Sequence, residues 1–345
     1  MLTLVASVFV LGIMVFVHEL GHFLVAKFVG IKVKEFSLGF GPRVTGITKG
    51  GTKYNLRLLP LGGFVSMAGM DPNEEAAEAD ESHGFNKKTV GQRIAVIFAG
   101  SFMNFVLAAA IYAVIFAFQG IPAATTVINE TLPGYPAISA GLQPGDQIIA
   151  INNQRVDEWE QLVDLISALP DQDVSVTVLR DGSEQVFNVH TIEDAEGTGM
   201  LGISPVQTYQ QLGFAQALGQ GVSFTVKVAL LLLDFVGKMI VGQEPVDVGG
   251  PVMIVSEIGK AAALGFFTLL QLAAFLSINL GIFNLFPIPA LDGSRLLFLF
   301  IEKLRGRPVD PHKESYFHLV GFALLLLMIL IVTYNDILRV WPGQE

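Results

Sequence analysis

Residues from Leu2 to about Val29 are apolar almost without interruption, and a run of that length narrows the possible folds more than any other feature of the chain. As a helix it is roughly 40 Å long, more than the ~30 Å hydrocarbon layer of a bilayer, so it must span with tilt or protrude at one end. Comparable runs cover Ile94 to Phe118, Leu264 to Phe286, and Val320 to about Val332 with its flanks. The balance of the whole chain agrees: of 345 residues 52% are hydrophobic and 15% charged, with a mean hydropathy of +0.56. Soluble globular proteins rarely reach that balance. The expected fold is an α-helical polytopic membrane protein with about four transmembrane helices. No basic residue precedes the first run, as one would before a cleaved signal peptide, so it is expected to stay as a membrane helix.

Within that first run lies Val17-His18-Glu19-Leu20-Gly21-His22. Two imidazoles and a carboxyl group among apolar residues are poorly explained by packing, because ionisable groups at membrane depth are costly. On a helix His18 and His22 share a face one turn apart and can grip one metal ion. Glu19 projects beside them, where it can act as the general base of a metal-assisted hydrolysis. The chain has no cysteine, so any metal must be held by imidazole and carboxylate. A net charge of -10 without a basic stripe argues against nucleic acid as a partner.

Between the first two spans, residues 32–93 read as short strands and glycine turns, with Val33 to Leu38 and Tyr54 to Val65 forming hairpins that can rest on the bilayer. Asp71 to Glu81 reads as an acidic, solvated loop. Residues 121–206 read as one small α+β unit, with a helix from Trp159 and strands at Val174 to Leu179 and Val186 to Val189. Residues 222–241 carry Lys227, Asp234 and Lys238 on one helical face, which favours an amphipathic helix on the membrane surface over a span. The regions are therefore 1–120 with the histidine motif, hairpins and second span; 121–206; 207–261 with the surface helix and a linker; and 262–345 with the last two spans.

Lysine and arginine crowd the segment between the first two spans and the connection before the last, and they are sparse around the α+β unit. The positive-inside rule puts the first two segments in the cytoplasm and the α+β unit outside. His18 then lies toward the cytoplasmic leaflet. The third span runs the same way as the first, so Asp292, just past Pro287-Ile288-Pro289, reaches a similar depth. Asp292 is either the third metal ligand or the cap of the next helix. Asn284 suits a substrate-facing hydrogen-bond donor and an interhelical contact equally, and Asn104 raises the same pair of readings. His83, His190, His312 and His318 read as structural or solvated.

At His18-Glu19-Leu20-Gly21-His22, at Asn284-Leu285-Phe286-Pro287-Ile288-Pro289-Ala290-Leu291-Asp292-Gly293 and at Asn104 the chain resembles the site-2 protease family of intramembrane zinc metalloproteases, in its bacterial, sigma-factor-regulating type. Pro136-Ala137 and Ala140 to Asp146 resemble a PDZ domain, here a single one where the member that typifies this group carries two, and Gly100-Ser101 stands where many relatives have Gly-Pro. The resemblance implies Zn2+ held by His18, His22 and Asp292, with Glu19 as general base and Asn284 and Asn104 as candidates for substrate contact. It implies hydrolysis of single-span membrane proteins, such as anti-sigma factors and signal-peptide remnants, in regulated proteolysis. It also implies residence in the bacterial inner membrane, an extracytoplasmic PDZ domain whose groove takes a peptide C-terminus or segment, and strand addition of substrate to the strands before Arg93. The competing readings are a catalytically silent PDZ-bearing scaffold, which would not need Glu19, and a metal transporter, which would need more carboxylates along a path.

Overall fold

The computed structural model describes residues 1–70, 83–194, 197–243 and 249–340, and separates into two compact units, residues 1–117 with 213–345 and residues 118–212. The acidic loop expected at 71–81 lies outside the described residues.

The larger unit begins with α1 (Leu2–Phe28). It stops where Gly30 takes a φ of +74°, so that Ile31 N–H bonds Ala26 O and Gly30 N–H bonds Lys27 O. That pair of bonds satisfies the last carbonyls of the helix and turns the chain into the following strand. The strands β1 (Val33–Lys49) and β2 (Thr52–Met67) join through Gly50-Gly51, both at positive φ, as a two-residue hairpin turn requires. Both strands then bend, at Gly39 to Pro42 and around Gly62. Residues 35–38 therefore have residues 63–66 on one side and residues 53–56 on the other. The separate hairpins expected from sequence are thus one long hairpin folded over on itself. Phe36 packs edge-on against Phe16 and Phe23 of α1, which seats the base of the hairpin on that helix.

A capping box, Thr89 with Gln92, starts α2 (Val90–Phe118). The smaller unit follows with β3 (Ile121–Thr131), α3 (Pro136–Ser139), β4 (Gln147–Ile151), β5 (Gln154–Arg155), α4 (Trp159–Ser167), β6 (Asp173–Arg180), β7 (Ser183–His190), β8 (Ile192–Glu193), β9 (Gly199–Met200) and β10 (Ile203–Gln210). Its main sheet runs β10-β3-β4-β6-β7, with β5 added to β4. Ile128, Ile148, Leu162, Val176 and Val178 fill its core. The carboxylate of Asp146, almost fully buried, takes two hydrogen bonds from Arg180.

The larger unit resumes with α5 (Phe214–Ile240), α6 (Pro251–Leu264), α7 (Phe266–Leu285), α8 (Asp292–Arg305) and α9 (Pro311–Val340). The N-terminal half of α5 packs against α2, with Phe224 edge-on to Tyr112 and Gly221 so close to Ala109 that a Cβ would meet its carbonyl oxygen. α6 was not foreseen as a separate helix. It starts at Gly250-Pro251, ends at Gly265 with φ +130°, and buries Ile258 among Ala6, Val10 and Met14 of α1 and Ala273 of α7. Asp336 of α9, itself buried, accepts hydrogen bonds from the backbone N–H of Gly250 and Met253 and so caps α6 from another helix. Among the described residues four helices are long and apolar enough to cross a membrane, Leu2–Phe28, Val90–Phe118, Phe266–Leu285 and His312–Leu338. They correspond to the four runs read from the sequence.

Candidate metal centre

Two glycines let α1 and α2 touch where the histidine motif lies. A Cβ on Gly21 would stand 2.3 Å from the carbonyl oxygen of Ala99, and one on Gly100 would stand 2.3 Å from His22 Nε2. With neither present, the imidazoles of His18 and His22 lie between the helices, both buried, their ring centroids 4.8 Å apart.

The third group arrives from the far end of the chain. Pro287 and Pro289 cannot continue α7, so the chain turns through residues 286–291 before α8 begins at Asp292. Gly293 makes the return possible, since a Cβ there would lie 2.1 Å from Phe286 O. Asp292 Oδ2 is thereby brought to 3.1 Å from His18 Nε2 and 3.1 Å from His22 Nε2, and the two nitrogens are 3.2 Å apart. Among the described residues these three form the one group of histidine and carboxylate side chains close enough to hold a metal together.

The triangle fits zinc. Tetrahedral ligands at ~2.0–2.1 Å from the ion stand about 3.3 Å from one another. Asp292 Oδ2 is buried without a hydrogen-bond donor, an orphaned acceptor that a cation would satisfy.

Both imidazoles are oriented from behind. His22 Nδ1 lies 2.8 Å from the backbone oxygen of Val96 and donates to it, which leaves Nε2 as the lone-pair nitrogen. His18 Nδ1 lies 3.1 Å from the Asn104 side-chain amide. The amide nitrogen Nδ2 faces the ring; with Nε2 reserved for a ligand bond the ring proton sits on Nδ1, and this requires the amide in its flipped orientation, with Oδ1 accepting. Asn104 is completely buried, and its backbone oxygen accepts from Ser277 Oγ. Of the two readings of Asn104, the interhelical contact is the one these bonds display, to His18 of α1 and Ser277 of α7. Asn284, half-buried in the last turn of α7, does keep exposed surface.

Glu19 is half-buried next to the imidazoles, and β2 passes directly over it. A Cβ on Gly63 would come within 3.2 Å of Glu19 Cγ, and the Val65 backbone amide hydrogen-bonds its carboxylate. Residues 63–67 pair on one side only, with residues 33–38, so among the described residues an open strand edge lies beside Glu19. Gly100 was legible as a small residue allowing close helix approach; sequence reasoning missed Gly21, Gly63 and Gly293, whose role is to be small, and the Val96 carbonyl, which has no sequence signal at all.

A model of peptidase family M50 matches residues 6–328. The zinc metalloprotease RasP of Geobacillus kaustophilus is 36% identical over 97% of this chain and 97% of the relative. The regulator of sigma-W protease RasP of Bacillus subtilis is 34% identical over 98% of this chain and 99% of the relative. Among solved structures, the PDZ domain of an SdrC-like protein from Listeria monocytogenes is similar over 24% of this chain and 88% of that domain, with 19% identity and a TM-score of 0.22.

Proposed function

The chain belongs to peptidase family M50, and from that premise we propose that His18, His22 and Asp292 hold its catalytic zinc while Glu19 moves the protons of peptide hydrolysis. It is a zinc metalloprotease of the site-2 protease type, with helices long and apolar enough to cross a membrane. The single observation that carries the assignment is the triangle of Asp292 Oδ2 and two Nε2 atoms, each about a tetrahedral edge from the others.

Zinc supplies a Lewis acid that polarises the scissile carbonyl and makes water acidic enough to attack near neutral pH. The Glu19 carboxylate takes the proton released by the attacking water and returns it to the leaving amide nitrogen. His22 and His18 keep their Nε2 atoms directed inward through the Val96 carbonyl and the Asn104 amide, so no reorientation is needed during turnover. A peptide carbonyl in a substrate helix is engaged in a backbone hydrogen bond and shielded by side chains. The open edge at residues 63–67 offers an extended segment main-chain partners beside Glu19, which favours strand addition as the way substrate is unwound and presented. Asn284, which keeps exposed surface in the last turn of α7, is assigned a contact with that segment in this reading.

The substrates in this reading are single-span membrane proteins, anti-sigma factors and signal-peptide remnants among them, cut in the bacterial inner membrane. The concentration of lysine and arginine between the first two spans supports a cytoplasmic hairpin and an extracytoplasmic smaller unit. That unit acts as a PDZ domain. Its groove of 280 Å³, between α4 and the segment from β9 to β10, is lined by Trp159, Leu162, Ile166, Met200, Leu201 and Ile203 and suits an apolar peptide C-terminus.

The test is cleavage of a model single-span substrate in detergent by the wild-type protein and by Glu19→Gln, each with and without a chelator. Loss of cleavage in the variant, with zinc still bound, and loss on chelation are expected. Wild-type rates in either condition would refute the mechanism.

A further inference from the structure

The loop that delivers Asp292 contains a backbone conformation that its own residues do not favour. Ala290 has a φ of +71°, in the left-handed region that a residue with a Cβ occupies only at a cost. Such a conformation persists where surrounding structure over-determines it. Here the surrounding structure is α9. The Ala290 N–H donates to His318 Nδ1 at 3.2 Å. One turn further along α9, Gly321 lies so near the loop that a Cβ there would overlap the Pro289 ring at 1.8 Å. The imidazole is itself held on three sides, with the Phe298 and Phe317 rings 6.0 and 6.1 Å from its centroid and Glu314 Oε1 3.9 Å from Nε2.

We propose that His318 is a positioning residue for the metal centre: by accepting the Ala290 N–H through Nδ1 it holds the left-handed turn that aims Asp292 Oδ2 at His18 and His22. The chemistry is that of an outer partner acting one step removed, on the backbone before the ligand instead of on the ligand itself. An aromatic ring filling the same space would pack as well against Phe298 and Phe317 but would leave the Ala290 N–H unpaired, and the turn would relax toward negative φ. The loop would then carry Asp292 away from the two imidazoles.

The inference rests on Asp292 being a zinc ligand, and the experiment separates the two. Zinc affinity is measured for the full-length protein in detergent, by competition with a chromophoric chelator, alongside hydrogen exchange of the peptide covering residues 286–294. His318→Asn places an amide oxygen close to where Nδ1 stood, whereas His318→Gln and His318→Phe do not. His318→Phe and His318→Gln are expected to bind zinc about 10- to 100-fold more weakly and to exchange the Ala290 amide faster, with His318→Asn within a few-fold of wild type. Adding Ala290→Gly to His318→Phe is expected to recover part of the affinity, because glycine adopts the turn unaided. Wild-type affinity in His318→Phe, or equal losses in His318→Asn and His318→Phe, would overturn the proposal. If His318→Phe fails to fold, the contrast between Asn and Gln decides in the same way. Full zinc binding by Asp292→Ala would instead overturn the ligand assignment on which it stands.

Discussion

Gly21→Ala is the smallest change expected to disable the enzyme while leaving every proposed ligand in place. The added methyl would stand 2.3 Å from Ala99 O, 2.7 Å from Ala99 C and 2.9 Å from Met103 Cγ. The methionine can rotate away, but the carbonyl belongs to the backbone of α2 and cannot. Restoring an ordinary contact of about 3.3 Å requires α1 and α2 to separate by about 1 Å at this point. His22 is the next residue, and its bond to Val96 O across the same interface would lengthen from 2.8 Å by a similar amount, which abolishes it. Overpacking of this kind costs about 1–3 kcal/mol of stability, and a shift of about 1 Å in reacting groups costs on the order of 100-fold in rate. The assay is cleavage of a single-span substrate together with zinc stoichiometry, and the control is Gly12→Ala. Gly12 lies in the same helix, and a methyl added there would meet nothing within 4 Å, so that variant should match wild type or gain about 1 kcal/mol from helix propensity. If Gly21→Ala and Gly12→Ala behave alike, the close approach of α1 and α2 is not what forms the site.

Two further outcomes test the scaffold. Burial raises the Glu35 carboxyl, but hydrogen bonds from Ser37, Arg57 and Asn55 outweigh it and bring the group down to about 2. Its contribution is complete above the unfolded value near 4.5 and is lost as pH falls through about 2. Thermal unfolding from pH 6 down to pH 3 should therefore show a steeper loss of stability in wild type than in Glu35→Gln, and parallel curves would contradict the hairpin cluster. Asp336→Ala removes both acceptors from the start of α6 and should cost about 1–2 kcal/mol in thermal stability. An unchanged melting temperature would mean that the cap does not hold α6.

What could be read from the chain alone divides by the range of the physics involved. His18, Glu19 and His22 stand out because a helix puts them on adjoining positions and because their surroundings are apolar. Asp292 follows from a second long-range argument, helix rise combined with the distribution of lysine and arginine, and its 3.1 Å distances to both imidazoles agree with that reasoning. Asn104 was legible only as an unusual polar group in a span. Whether it turns toward substrate or toward His18 depends on the rotation of α2 against α1, which glycine contacts decide and no periodicity reveals. α6 was absorbed into a linker because 14 residues are too few for a span, although Gly250-Pro251 and Gly265 mark its two ends. The doubled hairpin was hidden for a related reason: pairing of residues 35–38 with two separate segments is a matter of register. His318 looked like an ordinary interfacial histidine, since the turn it supports is strained by a φ angle that the residue name Ala290 gives no hint of.

The proposed ligands come from opposite ends of the chain, His18 and His22 from the first helix and Asp292 from the start of α8. During synthesis the first two enter the membrane long before the third has been translated, and two imidazoles alone leave a metal half-coordinated. On this assignment a ribosome-bound or prematurely terminated copy lacks its carboxylate ligand, however completely its early helices have inserted. On this assignment the power to hydrolyse peptide bonds waits until Asp292, residue 292 of 345, has been built.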